Sequence, residues 1–516
     1  MTSTRDDAAP PPERRVFCNR TLNLRAIQAI GYDMDYTLIH YNVAAWEARS
    51  FDHIKRKLAE LGWPVEGLTF DFEGYQLGLV IDRQLGNIVK ANRFGYVKRS
   101  AHGTRDLDLD AQRRAYAETI VDLADPRFIF MNTLFAIAAA SMYAQLVDRL
   151  DAGEIPGAIG YSELYDVLQD SLDAAHMEGQ LKGEIMADPE RYVLLDPEMP
   201  LTLLDQHRCG KRLMLITNSE WHYTQFLMDY AFRPFLPEGM AWRDLFKVVI
   251  VAAAKPLFFT RSQPAFEVVD EHGHLLPVVG TPSPGRILHG GHAGLVEAML
   301  GLEGGQILYI GDHAYGDVHV TKKILRWRTA LVIRELEEEV REQRAFAPTQ
   351  EELSCRMAAK EGLEHRYAAL RLALQRRRHQ RKMTRGRAAG QAADRMAGRA
   401  GGRATGRAGG RADSRAKAAA EEASKSGLSI QALEKEIEGI RKALSDADAG
   451  ITPLALASAQ IHNPRWGLLM RSGGDRSYLA RIIERHADIY TSRVSNLMYE
   501  TPYAFFRARR GRLPHD

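Results

Sequence analysis

Cysteine is scarce. Cys18, Cys209 and Cys355 are odd in number and far apart in 516 residues, which excludes both a disulfide framework and a thiolate metal site by spacing. An excess of either charge is also missing. Lysine and arginine total 69 against 66 acidic residues, and a formal net charge of +3 sets up no global field for nucleic acid or membrane. Long apolar runs are nearly absent. The best candidate, Phe128 to Leu146, contains Asn132 and Gln145 and is framed by Arg127 and Asp148, whereas a membrane span needs roughly 20 predominantly apolar residues, so a buried helix is expected. The sparse cysteines predict a reducing, cytoplasmic setting, and Met1 to Arg15, with Asp6-Asp7 ahead of a proline-rich run and no apolar signal core, predicts a disordered tail. The chain is 45% hydrophobic, enough for two or three domains of ordinary size.

The chain is organised around Ala29-Ile30-Gly31-Tyr32-Asp33-Met34-Asp35-Tyr36-Thr37-Leu38-Ile39. Ile27 to Ile30 reads as a buried strand that ends on two aspartates two apart. Buried carboxylates are costly unless paired, and the carboxyl edge of an open α/β sheet is where ligands bind. Three further strand ends carry polar residues. Arg212 to Ile216 runs into Thr217-Asn218-Ser219, a set that donates to phosphate oxygens but also caps ordinary helices. Phe246 to Ala254 delivers Lys255 before Pro256; at a strand end such a lysine usually snorkels to solvent. Gln306 to Ile310 exits at Gly311-Asp312, with Gly316-Asp317 five residues on and a next strand at Thr329 to Ile333. Together they form a coherent set: oxygen ligands for a hard cation, donors for a phosphoryl group, and a cation to offset its charge.

Between the first two of these strands lies a long insertion. Leu77 to Ile81 and Ile88 to Lys90 flank Gly86-Asn87 and predict a β-hairpin. Ser162 to Lys182 reads as a polar helix bearing Asp173, His176 and Lys182, either a solvated face or a ligand-facing one.

On Asp33-Met34-Asp35-Tyr36-Thr37-Leu38, Thr217-Asn218-Ser219, Lys255, Ile310-Gly311-Asp312-His313 and Gly316-Asp317, the chain resembles the haloacid dehalogenase-like superfamily and its purine 5'-nucleotidase branch. Further matches are Asn132-Thr133-Leu134-Phe135, Trp327-Arg328-Thr329 and, near the C-terminus, Leu468 to Arg507. The resemblance implies an α/β fold: a Rossmann-like core with a mostly parallel sheet, an inserted α+β cap and a helical C-terminal extension. It implies catalytic roles for Asp33 (nucleophile), Asp35 (proton donor, then base), Thr217 and Lys255. Mg²⁺ would be held by the Asp33 carboxylate, the Asp35 carbonyl and Asp312, with Asp317 acting through water. Asn218 would hold the phosphoryl group and Ser219 would assist in substrate binding. Phe135 would stack on the base, with Asp173, His176 and Lys182 facing the nucleotide. The sequence departs from the pattern at Gln169, where arginine is expected, and at Ala136, where asparagine is expected. Losing the arginine removes a planar multi-donor fork.

The expected activity is Mg²⁺-dependent hydrolysis of nucleoside 5'-monophosphates, purine ones first, through an aspartyl-phosphate. The alternatives are action on another small phosphate ester, phosphotransfer, or nucleic-acid binding with a vestigial phosphatase site. The expected division is a tail at 1–16, the core at 17–340 with its cap at about 45–195, a helical connection at 341–375, a basic linker at 376–425 and a returning helical segment at 426–516. In the linker, Arg395, Arg399, Arg403, Arg407, Arg411 and Arg415 recur among glycine and alanine, which predicts flexible chain; without aromatic residues to stack bases, nucleic acid is not the expected partner. The C-terminal segment has enough apolar surface to dock on the core or on another subunit, and the second would make a homo-oligomer.

Overall fold

The computed structural model describes residues 10–157, 159–177, 179–314, 317, 320–396 and 429–508. The chain forms two compact units, Met1–Arg344 with Gln460–Asp516, and Ala345–Ala459.

The first unit is built on a ten-stranded sheet. In chain order its strands are β1 (Phe17–Cys18), β2 (Ala29–Tyr32), β3 (Arg212–Ile216), β4 (Phe246–Val251), β5 (Ala265–Val268), β6 (Leu275–Pro277), β7 (Ile287–Gly290), β8 (Ile307–Gly311), β9 (Arg328–Val332) and β10 (Ile489–Thr491). Their spatial order is β1-β10-β9-β8-β2-β3-β4-β7-β5-β6. The pairings from β10 through β7 are parallel, and antiparallel strands finish both edges. Parallel strands are covered on both faces and therefore read as continuous apolar runs, as Leu213 to Ile216 and Ile307 to Ile310 do, all buried. The chain leaves β2 toward β3 and β4 and later returns on its other side as β8, so β2 lies at the switch point where such sheets bind ligands. Gly31 belongs there because β2 is crowded: an added Cβ would stand 2.8 Å from the Tyr309 ring.

The insertion opens with α1 (Val43–Glu60) and closes at Val193–Leu194, which pairs antiparallel with His40–Tyr41. Within it lie a five-stranded antiparallel sheet and three helices that shape the site: α2 (Ile137–Asp151), α3 (Tyr161–Met177) and α4 (Gln180–Ala187). The expected hairpin is present, Val80–Asp82 against Asn87–Ala91. The Phe128 to Leu146 stretch differs from the single buried helix expected. Phe128–Phe130 is a strand added to the edge at Val80–Asp82, and the helix starts only at Ile137. The polar helix expected over Ser162 to Lys182 is broken into α3 and α4, with Gly179 in the left-handed region at φ 67°.

Both chain ends differ from expectation as well. Residues 10–16, expected as part of a disordered tail, are fastened to the C-terminal segment: Thr491 Oγ1 donates to the Arg15 carbonyl at 3.1 Å, Ser492 Oγ to that of Glu13 at 2.9 Å, and the Arg14 guanidinium reaches Asn496 and Glu198. That C-terminal segment is not only helical. After the helix Tyr478–His486 it supplies β10 to the main sheet, anchored by buried Asp488, which accepts from Lys322 Nζ at 2.5 Å and from Arg328 Nε and the Thr329 amide, each at 3.0 Å.

The second unit is a helical hairpin made by α5 (Leu336–Met396, from Ala345 on) and α6 (Ile430–Ala459). Leu370, Ala373, Leu433, Ile437 and Ile440 form its seam. Lys360–Asp448 at 2.6 Å and Arg378–Glu434 at 2.5 Å fix an antiparallel pairing. The helix continues to Met396, where the sequence predicts flexible linker. Residues 376–396 are mostly arginine, lysine, glutamine and alanine, good helix formers that extend a helix already nucleated by the seam. The arginine repeat from Arg399 to Arg415 lies outside the described residues. Among the described residues no helix is long and apolar enough to cross a membrane.

Candidate active site

Four strand ends bring the polar residues together. Asp33 follows β2, Thr217 follows β3, Lys255 lies four residues beyond β4, and Asp312 follows β8. Lys255 Nζ is buried between carboxylates, 2.8 Å from Asp33 Oδ1 and 2.9 Å from Asp317 Oδ1, and it also donates to Tyr309 Oη at 3.2 Å. The strand-end lysine therefore points inward. Asn218 pins the Lys255 backbone, accepting from its amide at 2.6 Å and donating to its carbonyl at 3.2 Å. Thr217 is fully buried, and its Oγ1 accepts from the Ser219 amide at 3.0 Å. Gly311 is required by a close approach, since a Cβ there would lie 2.4 Å from Asp317 Oδ2. Tyr36, one residue after Asp35, has φ 57°, a left-handed conformation that costs a non-glycine residue energy and is concentrated at functional turns.

One carboxylate oxygen each from Asp33, Asp312 and Asp317 lies within 4.8 Å of the others. Burial raises the Asp33 carboxyl from 3.8 to about 7; Lys255 opposes the rise, and Asp317 and Asp35 add to it. Asp312 is pushed up by burial and by Asp33 and Asp317. Burial disfavours charge on Lys255, but Asp317 and Asp33 outweigh it and hold the amine protonated. One buried ammonium thus faces three carboxylates. This donor set, all oxygen and in excess of negative charge, fits a hard divalent cation such as Mg²⁺.

Asp35 stands between this centre and a cavity of about 460 Å³, whose lining also includes Trp46, Phe135, Tyr165, Gln169 and Lys182. Ser219 Oγ donates to Asp35 Oδ2 at 2.7 Å and Tyr41 Oη to Oδ1 at 2.5 Å. Phe135 packs edge-on against Tyr36 and Trp46, with centroids 4.7 and 5.1 Å away. Lys182, on α4, donates to Ser219 Oγ at 3.3 Å. Asp173 and His176 lie on α3, with side chains outside the described residues.

Several residues here carry no motif in sequence. Trp46 and Tyr165 form cavity wall, Tyr309 supports Lys255, and Tyr41 and Tyr223 sit behind Asp35. Glu47 is fully buried on α1; its Oε2 accepts from the Ala138 amide at 2.7 Å at the start of α2, and burial raises its carboxyl to about 8. A glutamate in the second turn of an amphipathic helix gives no sequence signal of burial.

The sequence model of the 5' nucleotidase family matches residues 16–516, nearly the whole chain. The chain belongs to the 5' nucleotidase family. Among curated proteins it is 28% identical over 348 residues to 5'-nucleotidase domain-containing protein 1 of Homo sapiens, covering 61% of this chain and 73% of the relative. The protein of the same name from Bos taurus is 28% identical over 340 residues, covering 61% and 74%. Solved structures with distant likeness include a predicted phosphoglycolate phosphatase from Haemophilus somnus 129PT (14% identity, 60% of this chain and 85% of that one, TM-score 0.26). Another is an archaeal β-phosphoglucomutase from Pyrococcus sp. ST 04 (11%, 59% and 86%, TM-score 0.28). Likenesses that remote say nothing about substrate or activity. Family membership makes this chain a hydrolase of the nucleotidase type.

Proposed function

We propose that this nucleotidase is Mg²⁺-dependent, prefers purine nucleoside 5'-monophosphates and works through an aspartyl-phosphate on Asp33. The observation that carries this reading is the placement of Lys255 in contact with both Asp33 and Asp317 beside Asp35, at the edge of an aromatic-walled cavity of about 460 Å³, a size suited to a nucleoside.

In this reading the Asp33 carboxylate attacks phosphorus and the bond to the ribose oxygen breaks, while Asp35 gives that oxygen its proton. Water, deprotonated by Asp35, then hydrolyses the acyl phosphate and regenerates Asp33. Splitting one difficult displacement into two is the benefit of a covalent route. Lys255 keeps the cluster compact and faces the charge that develops on the phosphoryl oxygens, and Thr217 and Asn218 present donors at the same strand edge. A divalent cation held by Asp33, the Asp35 carbonyl, Asp312 and Asp317 would supply positive charge for the phosphoryl group and keep the carboxylates ionised. Phe135, Trp46 and Tyr165 offer aromatic surface to a base, and Lys182, Asp173 and His176 are proposed to contribute polar contacts to it. Gln169, in the cavity wall, offers an amide able to donate and accept where an arginine would only donate.

The test is phosphate release from a panel of nucleoside monophosphates, sugar phosphates and an aryl phosphate, with Mg²⁺ or with EDTA. Mg²⁺-dependent preference for inosine or guanosine monophosphate is expected. Turnover of the aryl ester alone would keep the catalytic centre and discard the nucleotide; nucleoside transfer in place of release would favour phosphotransfer.

A further inference from the structure

Both oxygens of the Asp35 carboxylate are held by hydroxyl groups, and one of these, on Tyr41, belongs to none of the four strand-end motifs. Tyr41 lies on the short strand His40–Tyr41 that opens the cap, and its Oη donates to Asp35 Oδ1 at 2.5 Å. Tyr223, on the helix Trp221–Phe232 that follows Thr217-Asn218-Ser219, places its own Oη 3.1 Å from that of Tyr41. Ser219 Oγ takes the other carboxylate oxygen at 2.7 Å. Lys182, from the cap, reaches Ser219 and the tyrosine behind Tyr41: its Nζ donates to Ser219 Oγ at 3.3 Å and stands 4.9 Å from the centroid of the Tyr223 ring. Tyr41, Ser219 and Tyr223 are each no more than 3% exposed. The Tyr41 ring is seated independently, 5.3 Å from Tyr36 and 4.6 Å from Trp46, so its hydroxyl can be removed without unseating it.

We infer that Tyr41, braced by Tyr223, is a positioning residue that fixes the rotation of the Asp35 carboxyl toward the leaving oxygen. The inference rests on the proposed function for the role of Asp35. The terminal torsion of an aspartate is broad and roughly two-fold, so a carboxyl hung from the strand edge alone would sample orientations useless for proton delivery. Two hydroxyls from different elements, one on each oxygen, remove that freedom, and orientation of this kind is a large part of what an active site contributes to rate. The contact to Lys182 ties the same group to the cap, so that the carboxyl is aligned when the cap stands over the sheet edge.

The experiment compares kcat/KM of the wild type, Tyr41→Phe and Tyr223→Phe on three Mg²⁺-supported substrates: p-nitrophenyl phosphate, phenyl phosphate and inosine monophosphate. This parameter extends only to formation of the phosphoenzyme, so its later hydrolysis does not enter. Nitrophenolate leaves without a proton, phenolate less readily, and a ribose alkoxide hardly at all. Positioned proton transfer contributes about 100-fold or more, so Tyr41→Phe is expected to lower kcat/KM on inosine monophosphate by about 10- to 100-fold and on p-nitrophenyl phosphate by less than about threefold. Tyr223→Phe follows the same order more weakly. Equal loss on all three esters, the signature of a merely structural hydroxyl, overturns the inference, as does no loss on any. If the wild type cleaves both aryl esters but not the nucleotide, the nucleotidase reading fails. The inference is then decided by the aryl pair, where a steeper dependence on leaving group in Tyr41→Phe supports it and an unchanged one overturns it. Should Tyr41→Phe not fold, Tyr223→Phe carries the same comparison.

Discussion

Raising the pH of the metal-free protein is expected to weaken it, and the reason lies in the crowded carboxylates. Asp33 is raised from 3.8 to about 7 by burial, with Asp317 and Asp35 pushing the same way against Lys255. Between those two values the folded chain retains a proton that the unfolded chain has released. The folded state then binds more protons, so stability falls as pH rises across the window and levels off above about pH 7. At 1.36 kcal/mol per pH unit the rise corresponds to about 4 kcal/mol for Asp33, and Asp312, displaced in the same direction, adds to it. A divalent cation bound among the three oxygens, as proposed, would reverse the balance, because it would bind only the folded, ionised cluster and stabilise it by mass action. The assay is urea unfolding followed by tryptophan fluorescence from about pH 5 to about pH 8, in EDTA and in Mg²⁺. In EDTA the free energy should decline as pH rises; in Mg²⁺ the decline should shrink to what groups outside the cluster contribute, Glu47 raised to about 8 among them, and the alkaline end should gain most. A flat profile in EDTA, or one that Mg²⁺ leaves unchanged, would refute the reasoning.

Three further outcomes are expected. Asp33→Asn should abolish phosphate release while keeping the fold, checked by steady-state rates beside circular dichroism; near-wild-type turnover would exclude the covalent route. Glu47→Gln should be tolerated, because burial already raises Glu47 to about 8 and the amide oxygen can still accept from Ala138, whereas Glu47→Leu removes an acceptor at the start of α2 and should cost about 1 kcal/mol in chemical unfolding. Trp46→Ala should lower kcat/KM for inosine monophosphate by about 10-fold or more, the loss of one aromatic contact being worth about 1–3 kcal/mol, and spare p-nitrophenyl phosphate. Equal effects on both substrates would remove Trp46 from the base site.

The centre of the core was legible because its parallel strands are buried on both faces and four of them, β2, β3, β4 and β8, run into distinctive polar residues. The expected strands at Arg212 to Ile216 and Phe246 onward match β3 and β4, and the Asp33 strand lies two residues from its expected place. Residues made by tertiary contact alone were not legible. Tyr41 and Tyr223 are 182 positions apart and meet only once the cap closes on the core. Phe128–Phe130 resembles the start of an apolar helix until an edge strand is available to pair with it. The proline-rich segment before Phe17 lacks any periodic signal, yet Arg14 and the carbonyls of Glu13 and Arg15 find partners near the far end of the chain. Lys255 reads in sequence as a snorkelling charge; only Asp33, just past β2, and Asp317, in the segment beyond β8, turn it inward.

The most direct test of the account is the covalent intermediate itself. Enzyme mixed with Mg²⁺ and inosine monophosphate carrying a radiolabelled phosphate would be quenched in acid within the first turnovers and digested, and the labelled peptide located. The account predicts acid-stable, base-labile label on the peptide containing Asp33, and none with Asp33→Asn. Full turnover with no label on protein, or label on another residue, would contradict it.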